Sequence, residues 1–304
     1  MTRTIDIIEV GPRDGFQNLP SFIPTEEKIR IISSLIDCGV KHLQITSFVS
    51  PKAIPQMRDA KEVVDAILAM KKAKDLDLFA LVPNLYGARA AVEAGLKKIT
   101  TVISLSKSHN QANIRRTHDE SFEELAAMMR ELQGVEITLD VATTFGCPFE
   151  GKYTDTAPLL AFLQRAYDLG VRTFNLCDTI GIADPAQVRN VVTEVKKAFP
   201  DVRIEVHVHD TYGLGVVNSL AGIEAGADGV QSTLGGLGGC PFAPGASGNT
   251  ATEDLNRMLQ HMGYDTGIDS DALVELAKSL YKNVPDGNFS GHLLHIDAHP
   301  SCVV

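Results

Sequence analysis

Residues 168–181 read DLGVRTFNLCDTIG. A helical stretch runs into glycine at position 170, a short strand-like run fills 172–178, and an aspartate stands at its end. Glycine suits such a corner because it takes the left-handed conformation after a helix without steric cost. The same corner recurs as CGV (38–40), AGL (94–96) and AGA (225–227), each between a helical segment and a β-prone run. A repeated unit of helix, glycine and strand therefore sets the fold.

Working outward from that unit, eight β-prone runs appear, at 4–10, 41–46, 76–82, 98–105, 135–143, 172–178, 203–209 and 229–233. They are short and mostly lack clean alternation, as strands covered on both faces do. Segments of helical spacing lie between them, at 25–38, 56–71, 86–94, 119–132, 157–169, 185–198 and 214–225. In the first, Thr25 follows Pro24, Glu26 and Glu27 fall in the opening turn, and Ile29, Ile32 and Ile36 share a face. The alternation predicts an α/β fold, a TIM (β/α)8 barrel with additional C-terminal helices. A single domain over 1–304 is expected, with the barrel at about 4–249 and a helical extension at 250–304. A doubly wound open sheet competes, but no glycine-rich dinucleotide turn follows the first run.

Composition narrows the function classes. The 304 residues carry 28 Lys and Arg against 38 Asp and Glu, a formal net charge of −10, so no basic footprint exists for duplex nucleic acid. Five cysteines, at 38, 147, 177, 240 and 302, form no CxxC pair, which favours reduced thiols in a cytoplasmic setting. No apolar run approaches the roughly 20 residues of a membrane span. TIDIIEV at 4–10 begins too early to leave room for a secretory leader. A soluble, cytoplasmic protein is the expectation.

In a barrel of this kind reactive groups sit at the C-terminal strand ends. The first run ends in EVGPRDGFQN (9–18), which sets Arg13 and Asp14 side by side between Gly11 and Gly15; the sixth ends in Asp178 and the seventh in HVHD (207–210). Side chains two apart on a strand share a face, so His207 and His209 can reach one ion. Imidazole and oxygen donors without a thiolate pair predict an open site for Mg2+ or Mn2+, with Zn2+ the less expected ion. The stretch 235–249 holds six glycines in fifteen residues, with Cys240 in its middle and Asn249 at its end. It lacks a following Gly-Lys-Ser/Thr and is no P-loop; it reads as a loop closing over substrate. Lys107, His109, Arg115, Arg116 and His118 read as a basic cluster in a solvated loop, with a role in holding a carboxylate or a phosphate as the alternative.

Taken together, EVGPRDG-QN, TSFVSPK--PQM, GCP-EGK, DTIG, VH-HDTYG and GGLGGCP-APGASGN-ATEDL resemble, in order, the signature stretches of the 3-hydroxy-3-methylglutaryl-CoA (HMG-CoA) lyase family, within the DRE-TIM metallolyase superfamily. The resemblance covers roughly 4–282. It implies a metal-dependent barrel that splits HMG-CoA into acetyl-CoA and acetoacetate, with an acyl-CoA substrate, no other organic cofactor and a homodimer as a possible assembly. By position it implies Asp14, His207, His209 and Asn249 as ligands of Mg2+ or Mn2+ and Arg13 against the thioester carbonyl. It also implies Cys240 in the catalytic loop, Asp178 as an active-site carboxylate and His207 as a catalytic group. Gln17 is expected near the substrate. Three positions depart from the family pattern: Gln44 stands where a glutamate is usual, Lys107 where an acid is usual, and Asp140 where related lyases carry a tyrosine. All three are expected to face the substrate. A Claisen-type synthase or 2-oxo-acid aldolase is the alternative, and a non-catalytic metal- or CoA-binding relative a lesser one.

Overall fold

The computed structural model describes residues 3–239 and 248–296. Eight strands, β1 (Asp6–Glu9), β2 (His42–Ser47), β3 (Asp77–Leu81), β4 (Lys98–Ser104), β5 (Glu136–Ala142), β6 (Thr173–Asp178), β7 (Arg203–Val208) and β8 (Gly229–Ser232), close into a parallel barrel in sequence order. Closure is made by β8 against β1, with Gly229 opposite Asp6 and Ser232 opposite Glu9. Around it run α1 (Thr25–Asp37), α2 (Ala60–Leu68), α3 (Leu85–Glu93), α4 (Lys107–Ile114), α5 (His118–Glu131), α6 (Ala157–Asp168), α7 (Pro185–Ala198) and α8 (Gly215–Glu224). This is the (β/α)8 barrel that the alternation predicts, with α9 (Thr252–His261) and α10 (Ser270–Asn283) following it.

The corner glycines behave as their chemistry requires: Gly39, Gly95, Gly170 and Gly226 have φ of 95°, 104°, 100° and 103°. Helix starts are marked by side-chain caps. Asp184 accepts from Gln187 N at 2.9 Å ahead of α7, and Thr117 with Glu120 forms a capping box on α5. One helix escaped the periodicity. Of α4 only His109 and Asn110 are buried, both polar, so it carries no apolar stripe, and the basic cluster expected in a loop is partly this helix. The expected 4–10 run also divides, because Arg3–Thr4 pairs with Tyr264–Asp265 outside the barrel.

Strand alternation separates two interiors. Outward-facing Phe174, Leu176, Ile204 and Val206 pack with Val188, Val192 and Val195 of α7 in the main apolar core. Inside the barrel Ile8, Val10 and Phe79 form a separate small cluster. Buried polar residues Gln44, Thr100, Thr138, Asn175, Glu205 and Gln231 occupy other inward positions. At the strand starts, charges of alternating sign close the bottom. Arg203 donates to Asp6 at 2.8 Å, His42 lies 3.4 Å from Asp6 and 3.1 Å from Asp77, and Lys98 reaches Asp77 at 2.7 Å.

The segment after α10 buttresses the opposite end. Gly291 N donates to Gly235 O at 3.0 Å, Gly238 N to Asn288 O at 3.1 Å, and Ser290 Oγ to Asn249 O at 2.6 Å.

Hydrogen bonds to Asp6 and then Asp77 raise His42 to about 9. A raised histidine stabilises fully below its unfolded value near 6.5, and that contribution is lost as pH climbs through about 9. The melting temperature of wild type is therefore expected to fall toward that of His42→Gln between pH 7 and 10, measured by calorimetry; a constant gap would contradict the pairing.

Candidate active site

At the C-terminal end of β1 the chain makes one wide turn over Gly11–Gly15, with Asp14 N donating back to Val10 O at 2.7 Å. Neither flanking glycine has positive φ; both are required by close approach. A Cβ on Gly11 would lie 2.5 Å from Glu9 Oε1, and one on Gly15 3.1 Å from Leu237 O. Glu9 anchors the turn. Its buried carboxyl accepts from Gly11 N at 2.7 Å, Leu234 N at 3.0 Å and Thr252 Oγ1 at 2.6 Å, and burial raises it to about 7. Nothing in the local sequence distinguishes this glutamate from an ordinary strand residue.

The turn aims Arg13 and Asp14 at a cavity of about 510 Å³ in the barrel mouth. Arg13 Nη1 donates to Asp14 Oδ1 at 2.6 Å, and Gln17 Nε2 reaches the same oxygen at 2.9 Å. Asp14 Oδ2 lies 3.7 Å from His207 Nε2. Asp14, His207 and His209 each offer a ligand atom within 4.8 Å of the others, and all three are buried. Burial opposes charge on Asp14, but the Arg13 guanidinium and the two imidazoles hold its carboxyl below the usual range. Burial first, then His209, pushes His207 down to about 4, and burial likewise lowers His209. Both rings are therefore neutral near pH 7, the state that ligates metal.

Asn249 completes the group. The chain returning at 248–250 pairs with the end of β7 through Asp210 N to Gly248 O (2.9 Å), which sets Asn249 opposite His209. Asn249 Nδ2 donates to Leu237 O at 3.2 Å, and its buried Oδ1 has no protein partner. Gly238 leaves room for it, since a Cβ there would meet Asn249 Nδ2 at 2.3 Å. His209 Nδ1 is likewise buried without a partner, its ring hydrogen-bonding the Thr179 backbone instead. A carboxylate and two neutral imidazoles whose ligand atoms lie within 4.8 Å of one another, with an orphaned imidazole nitrogen among them and an orphaned amide oxygen on the adjoining Asn249, fit a hard or borderline divalent cation.

The cavity lining is mixed. Val49, Ile54, Leu81 and Val102 supply apolar surface. Asp140, Asn175 and Cys177 add polar groups to the same lining, Asp140 directly beside Val102 in the strand register. Asn175 Nδ2 donates to Asp140 Oδ1 at 2.8 Å, and burial raises Asp140 to about 7 against the pull of Arg13. Burial also raises the Cys177 thiol, with Asp140 adding to it.

The expected site residues divide. Arg13, Asp14, Gln17, Asp140, His207 and His209 line the cavity. Gln44 lies behind Arg13 and accepts from its Nε, fully buried, so it backs the arginine and does not face the substrate. Asp178 points elsewhere. On β6 the inward positions are Thr173, Asn175 and Cys177, and Asp178 turns outward to accept from Ile182 N at 3.0 Å and Ala183 N at 2.9 Å. It shapes the following loop, and Cys177 holds the cavity position. Lys107 is also displaced: as first residue of α4 it is exposed, and His109, Asn113 and Ile114 of that helix reach the cavity. Cys240 lies outside the described residues. Among the described residues no helix is long and apolar enough to cross a membrane.

Residues 4–280 match the HMGL-like family model. The chain is 38% identical over 278 residues to a hydroxymethylglutaryl-CoA lyase of Bacillus subtilis, covering 91% of this chain and 92% of that protein. It is 38% identical over 277 residues to the human mitochondrial hydroxymethylglutaryl-CoA lyase, covering 90% and 84%. A solved HMG-CoA lyase from Acinetobacter baumannii, in complex with coenzyme A and 3-methylmalate, superposes with a TM-score of 0.89 at 41% identity, covering 98% of this chain and 97% of that one.

Mn2+ is expected to raise the melting temperature in a saturable way. Asp14→Asn abolishes that response and Lys107→Ala leaves it intact. Asp178→Asn keeps it while losing about 1–3 kcal/mol of stability, because an amide NH2 would face backbone donors. A lost Mn2+ response in Asp178→Asn would contradict its placement.

Proposed function

The chain belongs to the HMGL-like family, and on that premise we propose that it is a divalent-metal-dependent carbon–carbon lyase that cleaves HMG-CoA, or a closely related 3-hydroxy-3-methyl-acyl-CoA, to acetyl-CoA and a keto acid. The observation that carries this reading is the grouping of Asp14, His207 and His209 beside Arg13 in a cavity of mixed apolar and polar lining, with Asn249 paired to His209. A mixed lining of this kind suits a branched acyl chain that bears a methyl group, a hydroxyl and a carboxylate.

Asp14, His207, His209 and Asn249 would hold Mg2+ or Mn2+, which when bound polarises the substrate's oxygens and makes its tertiary hydroxyl a stronger acid. Cleavage then needs a group that takes the hydroxyl proton and a group that stabilises the acetyl-CoA enolate left when the C2–C3 bond breaks. Arg13 is permanently cationic, and Gln44 and Asp14 hold its guanidinium from two sides. It serves the thioester oxygen, where negative charge develops. The histidine nitrogens facing the cation site are committed to it, which leaves Asp140. Its carboxyl titrates near 7, Asn175 holds Oδ1, and Oδ2 accepts the proton. Cys240 is the proposed donor to the enolate carbon.

With Mn2+ or Mg2+, the purified protein is expected to release acetyl-CoA and acetoacetate from HMG-CoA, and EDTA to stop it. Because Asp140 acts deprotonated, kcat/KM should rise with pH through about 7. Asp140→Asn should remove that limb and lower kcat about 10²–10⁴-fold. Arg13→Met should cost about 10²–10³-fold in kcat. Absence of cleavage of any 3-hydroxy-3-methyl-acyl-CoA by metal-loaded protein sinks the lyase reading. Acyl transfer from acetyl-CoA to a keto acid, assayed in the reverse direction, would favour a synthase.

A further inference from the structure

Below the metal-ligand group a chain of buried hydrogen bonds descends through the barrel. His207 Nδ1 lies 3.2 Å from Gln231 Oε1, and Gln231 Nε2 donates to Glu205 Oε2 at 3.2 Å. Glu205 Oε1 in turn accepts from Arg203 Nε at 3.0 Å, and Arg203 Nη2 reaches Asp6 at 2.8 Å. Register builds the chain. In the parallel pair β7–β8, His207 stands opposite Gln231 and Glu205 opposite Gly229, so one inward glutamine sits between two inward side chains of the neighbouring strand. Gly229 leaves the space through which Arg203 passes, since a Cβ there would lie 2.9 Å from Arg203 Nη2.

From this geometry we infer that Glu205 and Gln231 are positioning residues that fix the His207 tautomer and thereby set metal affinity. A carboxylate salt-bridged to Arg203 can only accept, so the Gln231 NH2 must face Glu205. That leaves Gln231 Oε1 toward His207, where only a protonated Nδ1 can meet it. The proton is thus kept on Nδ1, and the lone pair of Nε2 faces Asp14 and the cation site. Reversing the Gln231 amide would present NH2 to Nδ1 and move the proton to Nε2, the nitrogen needed for the ion. An outer-shell partner of this kind changes metal affinity by about 10–100-fold when removed. Gln231 borders the cavity beneath His207, whereas Glu205 does not line it and acts only through Gln231.

The inference rests on the metal-site reading of the preceding subsection, and the test separates the two. Glu205→Gln keeps size and the Arg203 contact, but turns an amide NH2 toward Gln231 and forces its amide to flip. Gln231→Met removes the acceptor altogether. The double variant Glu205→Gln/Gln231→Glu exchanges the carboxylate and restores an obligate acceptor beside His207. Mn2+ affinity by calorimetry is expected to fall about 10–100-fold in each single variant and to recover in the double variant. ¹⁵N NMR of the metal-free proteins should show His207 with its proton on Nδ1 in wild type and the double variant, and on Nε2 in Glu205→Gln. Unchanged Mn2+ affinity with an unchanged tautomer in both single variants overturns the inference, as does a loss in Glu205→Gln that the double variant fails to recover. If wild type binds no Mn2+, the metal reading fails, and the tautomer measurement on metal-free protein still decides the role of Glu205 and Gln231.

Discussion

The structure depends on a buried convergence of acceptors. A carboxylate oxygen of Asp14 and ring nitrogens of His207 and His209 share a space 4.8 Å across, and the buried amide oxygen of Asn249 lacks any protein partner beside it. Burying such groups against one another without a compensating positive charge costs several kcal/mol per ion. Arg13 offsets part of that cost through Asp14 Oδ1, but it leaves Oδ2 and the imidazoles turned toward each other. A divalent cation held there would relieve the remainder. The local devices serve this arrangement: the wide turn after β1, the Glu9 anchor beneath it, the alternate histidines at the end of β7, and the returning chain that sets Asn249 against His209.

The barrel interior is layered accordingly. Paired charges of Asp6, His42, Asp77, Lys98 and Arg203 seal the strand starts, the apolar cluster of Ile8, Val10 and Phe79 fills part of the middle, and the cavity occupies the strand ends. Stability and chemistry thus sit at opposite ends, as parallel barrels generally place them. Glu205 and Gln231 join the two, since one reaches Arg203 in the bottom layer and the other His207 in the top.

Much of this was readable in the residues, for reasons that differ by element. The corners at Gly39, Gly95, Gly170 and Gly226 were visible because only glycine sits easily at φ near 100°. The pairing of His207 with His209 followed from the strand period of two. That period also excludes Asp178 from the cavity, but a polar residue at a strand end attracts attention that Cys177 does not. Lys107 was misplaced for another reason: α4 buries only polar side chains, so no periodic signal separated it from a loop. Gln44 was expected to face the substrate, and its place behind Arg13 is tertiary information that the local sequence does not carry. Glu205 and Gln231 were invisible, because a strand register and an amide orientation are not written locally in the chain.

The most direct test of the account is a crystal structure of the Mn2+-loaded protein with anomalous data at the manganese edge. The account predicts one strong peak bonded to Asp14 Oδ2, His207 Nε2, His209 Nδ1 and Asn249 Oδ1, with Arg13 beside it and still held by Gln44. A manganese bound elsewhere, or one that engages His207 through Nδ1, would contradict it.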